Sequence, residues 1–293
     1  MLSLQQINKH FPTGGRETSD GRIRSQQNKT EMMKRMFWTL TAAAMLSACT
    51  LQQKQENGGT TAVSTDSAVV ASRYGDYRLV VDVPSGDNKA LQRAVLEYVS
   101  ESCGGTYAGD LLDTKALLRH YTDSISHEYD EDGKDIGFVA RGEMRMENSK
   151  TFKKIYENER LITYEFDLSD FSGGAHGMSI CSGQTFRKSD GRRLGWELFN
   201  RSGGLEINDL LKAGLKRYFE TDTDEALEEQ LQNATIYDIP LPNTPPLFKE
   251  DGILVVYEPY EIACYAAGMP SFTIPYDEIR PLMVQTALDL IRP

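Results

Sequence analysis

The chain changes its hydrophobic period twice, and the order of those changes limits the folds open to it. Residues 77–83, YRLVVDV, place Tyr77, Leu79, Val81 and Val83 at the strand period of two. Residues 87–103 then put Leu91, Ala94, Val95, Tyr98 and Val99 on one helical face, with Asp87 or Asn88 as the cap. A second helix is expected over 114–129 through Leu117, Leu118, Tyr121 and Ile125. Three strands follow, over 136–146, 151–159 and 161–169, joined by polar turns. One strand, two helices and a run of strands predict an α+β fold, a small mixed sheet with helices, rather than alternating α/β.

Beyond residue 186, RKSDGRR reads as a hairpin turn with Asp190 and Gly191 at its tip. A helix is predicted over 203–221 with Leu210, Leu211, Leu215, Tyr218 and Phe219 inward. It is followed by DTDEALEEQLQNA, where Asp222 and Glu225 have capping-box spacing. After the Pro-rich 239–246, Glu250-Asp251-Gly252 turns the chain into ILVVYE, and SFTIPY forms another strand. An amphipathic helix through Ile279, Leu282, Met283, Leu290 and Ile291 ends the chain.

Upstream, Met33-Lys34-Arg35 precedes the apolar run MFWTLTAAAMLSAC, which ends at Cys49. A basic segment, a short apolar segment and small residues before a cut are the parts of a secretory signal, and the run is too short for a bilayer span of about 20 residues. Leu46-Ser47-Ala48-Cys49 resembles a bacterial lipobox, whose cysteine thiol receives a diacylglycerol. The expected organisation is therefore an upstream extension at 1–32, a lipoprotein signal peptide at 33–48, lipidation at Cys49, a flexible polar tether at 49–72, an α+β subdomain at 73–164 and a second α+β domain at 165–293. This places the protein in the cell envelope, held to a bacterial membrane by its N-terminal lipid.

The whole chain carries a formal charge of −11, and residues 49–293 carry 25 Lys/Arg against 40 Asp/Glu, a charge of −15. Such a body repels phosphate backbones, so nucleic acid is excluded as a partner, while a basic protein is attracted at long range.

Three features invite chemistry. DEDGKD at 130–135 clusters carboxylates, but an EF-hand needs Gly at position six and Glu at twelve, where this chain has Lys134's neighbour Asp135 and Arg141. A solvated turn is expected there, and no metal site. Gly173 and Gly174 permit a tight turn, and His176 follows with no Gly-x-Ser-x-Gly or His-Glu-x-x-His around it. In YEPYEIACYAAG, residues 257–268, Tyr257 ends a strand, Pro259 stops it, and Ile262, Tyr265 and Ala266 pack across a corner that Gly268 and Pro270 turn into the next strand. Glu258 and Glu261 there could act as an acid and base pair, the requirement of a carbohydrate-active hydrolase, or form the rim of a binding surface.

The blocks GGAHG, DGRRLGWELF, GILVVYEPYEIACYAAG and FTIPYDEI, in this order over 165–280, resemble the C-terminal domain of the anti-sigma-V factor, a domain also found beside peptidoglycan deacetylase domains and in bacterial lipoproteins. The resemblance implies a non-enzymatic extracellular α+β domain without cofactors or catalytic residues. Its understood role is binding lysozyme, with a cell-wall glycan or an envelope assembly role as the other readings. Gly173, Gly174, His176, Glu258, Tyr260, Glu261 and Tyr265 are the binding residues expected on that basis. Cys181 and Cys264 fall in blocks expected to be neighbours, which implies a disulfide between them and leaves Cys103 free. Two departures stand out: the anti-sigma factor's sigma-binding segment and transmembrane helix have no counterpart in the lipoprotein reading, and Cys264 replaces the more usual proline.

Overall fold

The computed structural model describes residues 61–200 and 204–292. The extension, the signal peptide and Cys49 lie outside the described residues, and among those described no helix is long and apolar enough to cross a membrane.

The fold is α+β, with a six-stranded sheet in sequence order and a separate three-stranded one. Strand β1 (Val63–Ala71) pairs antiparallel with β2 (Gly75–Pro84), and β2 pairs parallel with β3 (Met146–Glu157). Strands β4 (Leu161–Phe171), β5 (Met178–Arg187) and the two-residue β6 (Arg193–Leu194) complete the sheet as an antiparallel meander. The long β2–β3 crossover holds helices α1 (Lys89–Ser102) and α2 (Thr114–Asp135) and the short turn α3 (Gly137–Ala140).

The strand and helix periods act as the sequence demands. Tyr77, Leu79, Val81 and Val83 all point inward, and with Phe152 and Phe166 several of them meet Leu96, Val99, Leu117 and Leu118 of the helices. Asn88 caps α1 by accepting the Leu91 N–H at 3.1 Å, and Asp113 caps α2 in the same way through Ala116. The β5–β6 turn carries Gly191 at φ +74°, and a Cβ there would lie 2.8 Å from the Ala90 carbonyl of α1.

Several expectations are corrected. Residues 63–71, read as tether, form β1. Their alternation of small apolar and polar residues is sufficient for a strand once β2 offers a ladder. DEDGKD is not a turn but the last turns of α2, where Gly133 packs so closely on Tyr74 that a Cβ would lie 2.7 Å from its ring. Residues 136–146 are mostly a helical turn and a bend, and β3 begins only at Met146. The division between residues 164 and 165 falls inside β4, so the large sheet runs across it.

The second half supplies α4 (Gly204–Tyr218), α5 (Asp224–Glu228), the β7 (Leu247–Phe248) and β8 (Gly252–Val256) hairpin, β9 (Ser271–Pro275), α6 (Tyr276–Ile279) and α7 (Gln285–Leu290). Thr223, not Asp222, caps α5, its hydroxyl accepting the Ala226 N–H at 3.1 Å. The expected terminal helix is broken between α6 and α7 by a 3₁₀ turn over Arg280–Leu282 that contains Pro281. The two sheets meet through polar groups as well as apolar ones. Thr163 Oγ1 of β4 donates to the Phe248 carbonyl at 2.7 Å, and the Phe248 N–H donates to Thr185 Oγ1 of β5 at 3.2 Å. Around the small sheet, Trp196, Leu211, Leu215, Ile253, Val255, Tyr257, Phe272 and Ile274 form the larger apolar core.

Candidate functional site

The corner that follows β8 is built on a buried floor. Tyr257 is wholly buried and its hydroxyl donates to the Pro240 carbonyl at 2.8 Å; burial pushes its phenol pKa up. Ile262 and Ala263 are buried beneath the corner, and the Ile262 carbonyl accepts the Gln232 N–H at 2.9 Å. Ala266, expected to pack across the corner, is instead exposed.

Glu261 ties this loop together. Its Oε2 accepts the Glu258 N–H at 2.8 Å and its Oε1 accepts the Asn243 N–H at 2.7 Å. Burial raises the pKa of Glu261, the two backbone donors oppose that rise, and the charge of Glu258 adds to it. Glu258 is half-buried and is raised by burial. Both oxygens of Glu261 thus receive backbone donors and its carboxylate clamps the loop, with Glu258 contributing its N–H to that clamp.

On this clamp sits Tyr260, with φ +67° and 57 % of its surface exposed. A bulky side chain is an outlier in that region of backbone space. The conformation is held by Asn233, whose Nδ2 donates to the Tyr260 carbonyl at 2.9 Å. The Tyr260 ring stacks on Tyr265 at 5.6 Å between centroids and 28° between planes, and Tyr265 stacks on His176 at 5.0 Å and 21°. Three rings from two segments far apart in sequence thus form one stack, with exposed Tyr260 and His176 as its ends.

Gly177 joins the two segments. Its carbonyl accepts the Tyr265 hydroxyl at 2.8 Å and lies 3.0 Å from His176 Nδ1, which donates to it. A Cβ on Gly177 would lie 2.8 Å from the Asp170 carbonyl, so the loop can close this tightly only on glycine. Gly173 and Gly174, at φ +106° and +100°, turn the β4–β5 connection that delivers His176; neither joins the stack. Tyr218 of α4 fastens the other side, its hydroxyl donating to the Ala267 carbonyl at 2.8 Å.

The expected Cys181–Cys264 disulfide is not formed: Cys103, Cys181 and Cys264 are all free thiols. Cys181 stands opposite Asp167 on the sheet, and its backbone N–H donates to Met269 Sδ at 3.1 Å. Burial, with the charges of Glu165 and Asp167, pushes its thiol up to about 12. Among the described residues no group of three or more His, Cys, Asp or Glu side chains could hold a metal ion.

Of the residues singled out from sequence, His176, Tyr260 and Tyr265 come together, Glu258 and Glu261 support them, and Gly173 and Gly174 set the approach. Gly177, Asn233, Asn243 and Met269 went unnoticed. Only Gly177 carried a local signal, as the third glycine of GGAHG; the others matter through contacts distant in sequence.

These elements define an α+β protein whose two sheets support an exposed aromatic corner. Residues 198–277 match the family model DUF3298, described as a protein of unknown function. The match covers the aromatic corner but begins after the His176 loop. The fold is similar to that of a DUF3298-family protein from Bacteroides fragilis, at 21 % identity and a TM-score of 0.55 over 78 % of this chain and 97 % of that one. It is also similar to a DUF3298-family protein from Pseudomonas aeruginosa, at 15 % identity and a TM-score of 0.51 over 78 % and 96 %. No curated protein matches the chain significantly.

Proposed function

We propose that the protein is an envelope lipoprotein, anchored through Cys49, that binds a partner on the aromatic corner without chemical turnover. The observation that carries this reading is the stack of His176, Tyr265 and Tyr260. Solvent-facing aromatic rings clustered on a rigid support are the usual anchors of a recognition surface. The backbone strain at Tyr260 adds to it, since such strain persists where the surrounding structure enforces it and gathers at functional positions. The resemblance to the anti-sigma-V domain and the charge of the body favour a basic protein of the lysozyme type as partner, with a cell-wall glycan as the ligand that ring stacking alone would also suit.

The test is calorimetric titration of the full chain with a lysozyme at low and at high salt. An acidic body attracts any basic protein, so only affinity that survives screening counts as recognition. Binding that persists and is lost in Tyr260→Ala and His176→Ala supports the reading. Binding that vanishes with salt, or that ignores both variants, rejects it for lysozyme.

A further inference from the structure

Among the described residues the most exposed large apolar side chain is that of Tyr237, at 82 %. It stands in a turn that Asp238 closes by donating its N–H to the Thr235 carbonyl at 3.0 Å. On either side, Ile236 and Ile239 point inward and join the core around the small sheet. The turn is fixed from three directions. Asn208 of α4 donates its Nδ2 to the Ile236 carbonyl at 3.0 Å and accepts the Ile239 N–H on its Oδ1 at 2.8 Å, while Glu228 Oε2 accepts the Ile236 N–H at 2.8 Å. Among the described residues the Tyr237 ring stacks on no other ring and its hydroxyl has no hydrogen-bond partner. The fold thus holds rigid a side chain from which its core gains nothing, at a kind of position that Gly, Asn, Asp or Ser usually takes. A pre-ordered, solvent-facing aromatic ring is the usual anchor of a protein interface.

The loop that carries Tyr237 is bound to the aromatic corner on both sides of it. Gln232 and Asn233 hold the carbonyls of Ile262 and Tyr260, and beyond the turn the Pro240 carbonyl and the Asn243 N–H meet Tyr257 and Glu261. Four residues of chain, from Asn233 to Tyr237, span at most about 14 Å. Tyr237 and Tyr260 therefore fit within one interface patch of about 800 Å².

The charge of the chain gathers on the same segment. Residues 220–248 hold seven Asp/Glu and no Lys, Arg or His, −7 of the −15 carried by residues 49–293. Asp224 is engaged by Lys216 at 2.6 Å and Lys212 at 3.4 Å, and Glu228 by the turn. Glu225, Glu229 and Asp238 are exposed and make no ion pair among the described residues.

Taking the corner as a recognition surface, we propose that Tyr237 is its second anchor, and that the 220–248 segment and the corner together receive lysine and arginine side chains of a basic protein. Tyrosine faces beside unpaired carboxylates hold a cation through the ring quadrupole and through charge at once. A neutral glycan can use the rings but gains nothing from the charge.

The test is NMR of the full chain with labelled tyrosine rings, titrated with hexalysine and, separately, with chitohexaose, at high salt so that diffuse attraction is screened. Hexalysine should move the Tyr237 and Tyr260 rings together with one midpoint, and chitohexaose should move neither. Tyr237→Leu should weaken hexalysine binding about two- to fivefold, as the loss of one exposed cation–ring contact predicts. Tyr237→Phe should keep the affinity, and the exposure of the side chain means that both variants should unfold at the wild-type temperature. If hexalysine moves Tyr260 but not Tyr237, or Tyr237→Leu binds as wild type does, the second anchor is overturned and the corner stands as a recognition surface without it. If chitohexaose moves the stack and hexalysine does not, the cationic partner is overturned. If neither probe moves either ring, the second anchor and the corner's recognition role are both overturned.

Discussion

The hydroxyl of Tyr265 donates to the carbonyl of Gly177 at 2.8 Å, joining positions 88 residues apart and fixing the middle ring of the stack. Tyr265→Phe removes this bond and keeps the ring. A hydrogen bond of this kind is worth about 1 kcal/mol, so urea unfolding should show a loss of that order. Tyr265→Ala removes the central ring as well and should cost more, and its NMR spectrum should show His176 released from the ring current of its neighbour.

Tyr260 separates stability from binding. Replacement by glycine relieves the positive-φ cost of about 1–2 kcal/mol, but adds backbone entropy worth about 0.5–1 kcal/mol and forfeits a partly exposed stacking contact of about 0.5–1 kcal/mol. Denaturant midpoints of Tyr260→Gly and wild type should therefore differ by less than about 1 kcal/mol, while the corner's affinity for its partner falls. A large destabilisation would show that the ring serves the fold.

Glu157 sits at the end of β3 with only 6 % of its side chain exposed, paired with Lys188 at 2.5 Å and Lys154 at 3.1 Å. Burial pushes its pKa up, but Lys188, Thr61 and Lys154 outweigh that, and the net direction is down. A depressed carboxyl contributes stability that is present above the unfolded-state value and lost as pH falls through the folded one. Acid titration of unfolding should lose this contribution from the ordinary glutamate value of 4.5 downward. Glu157→Ala strands two partly buried cations and should cost about 2–4 kcal/mol at neutral pH, with a flatter acid limb than wild type.

Gly214 of α4 packs directly on Phe272 of β9, where a Cβ would lie 2.0 Å from the ring. In an exposed helix Gly→Ala is stabilising. Here it should destabilise by about 1–3 kcal/mol through overpacking, which thermal unfolding of Gly214→Ala measures directly.

The fold class was legible because β2 and β4 have a clear strand period and α1 and α2 a clear helical period and cap, and those local signals agree with the packing. β1 was not, because VSTDSAVVA has the composition of a linker and becomes a strand only through the ladder that β2 provides. The run at 136–146 failed for the opposite reason: its apolar residues suit a strand, yet the chain uses them to leave α2 and reach Met146. At the site, the aromatic and glycine residues could be read because their types carry meaning anywhere. What could not be read was their partnership. The clamp of Glu261 on Asn243, and the contact of the Cys181 N–H with Met269 Sδ, depend on segments meeting across long sequence distances, which no local pattern encodes.

Parallel pairing among the described residues is confined to β2 with β3, and it has a kinetic consequence. Strands β3 to β6 are linked by short turns and close at little entropic cost, whereas β2 reaches β3 only after the whole α1–α2 excursion is enclosed. Loop-closure entropy and contact order both place that step late. The meander is the natural nucleus, and β1 with β2 docks on it afterwards as a unit. Mutations in the β4–β5 hairpin should therefore slow refolding, while those in β1 should chiefly hasten unfolding.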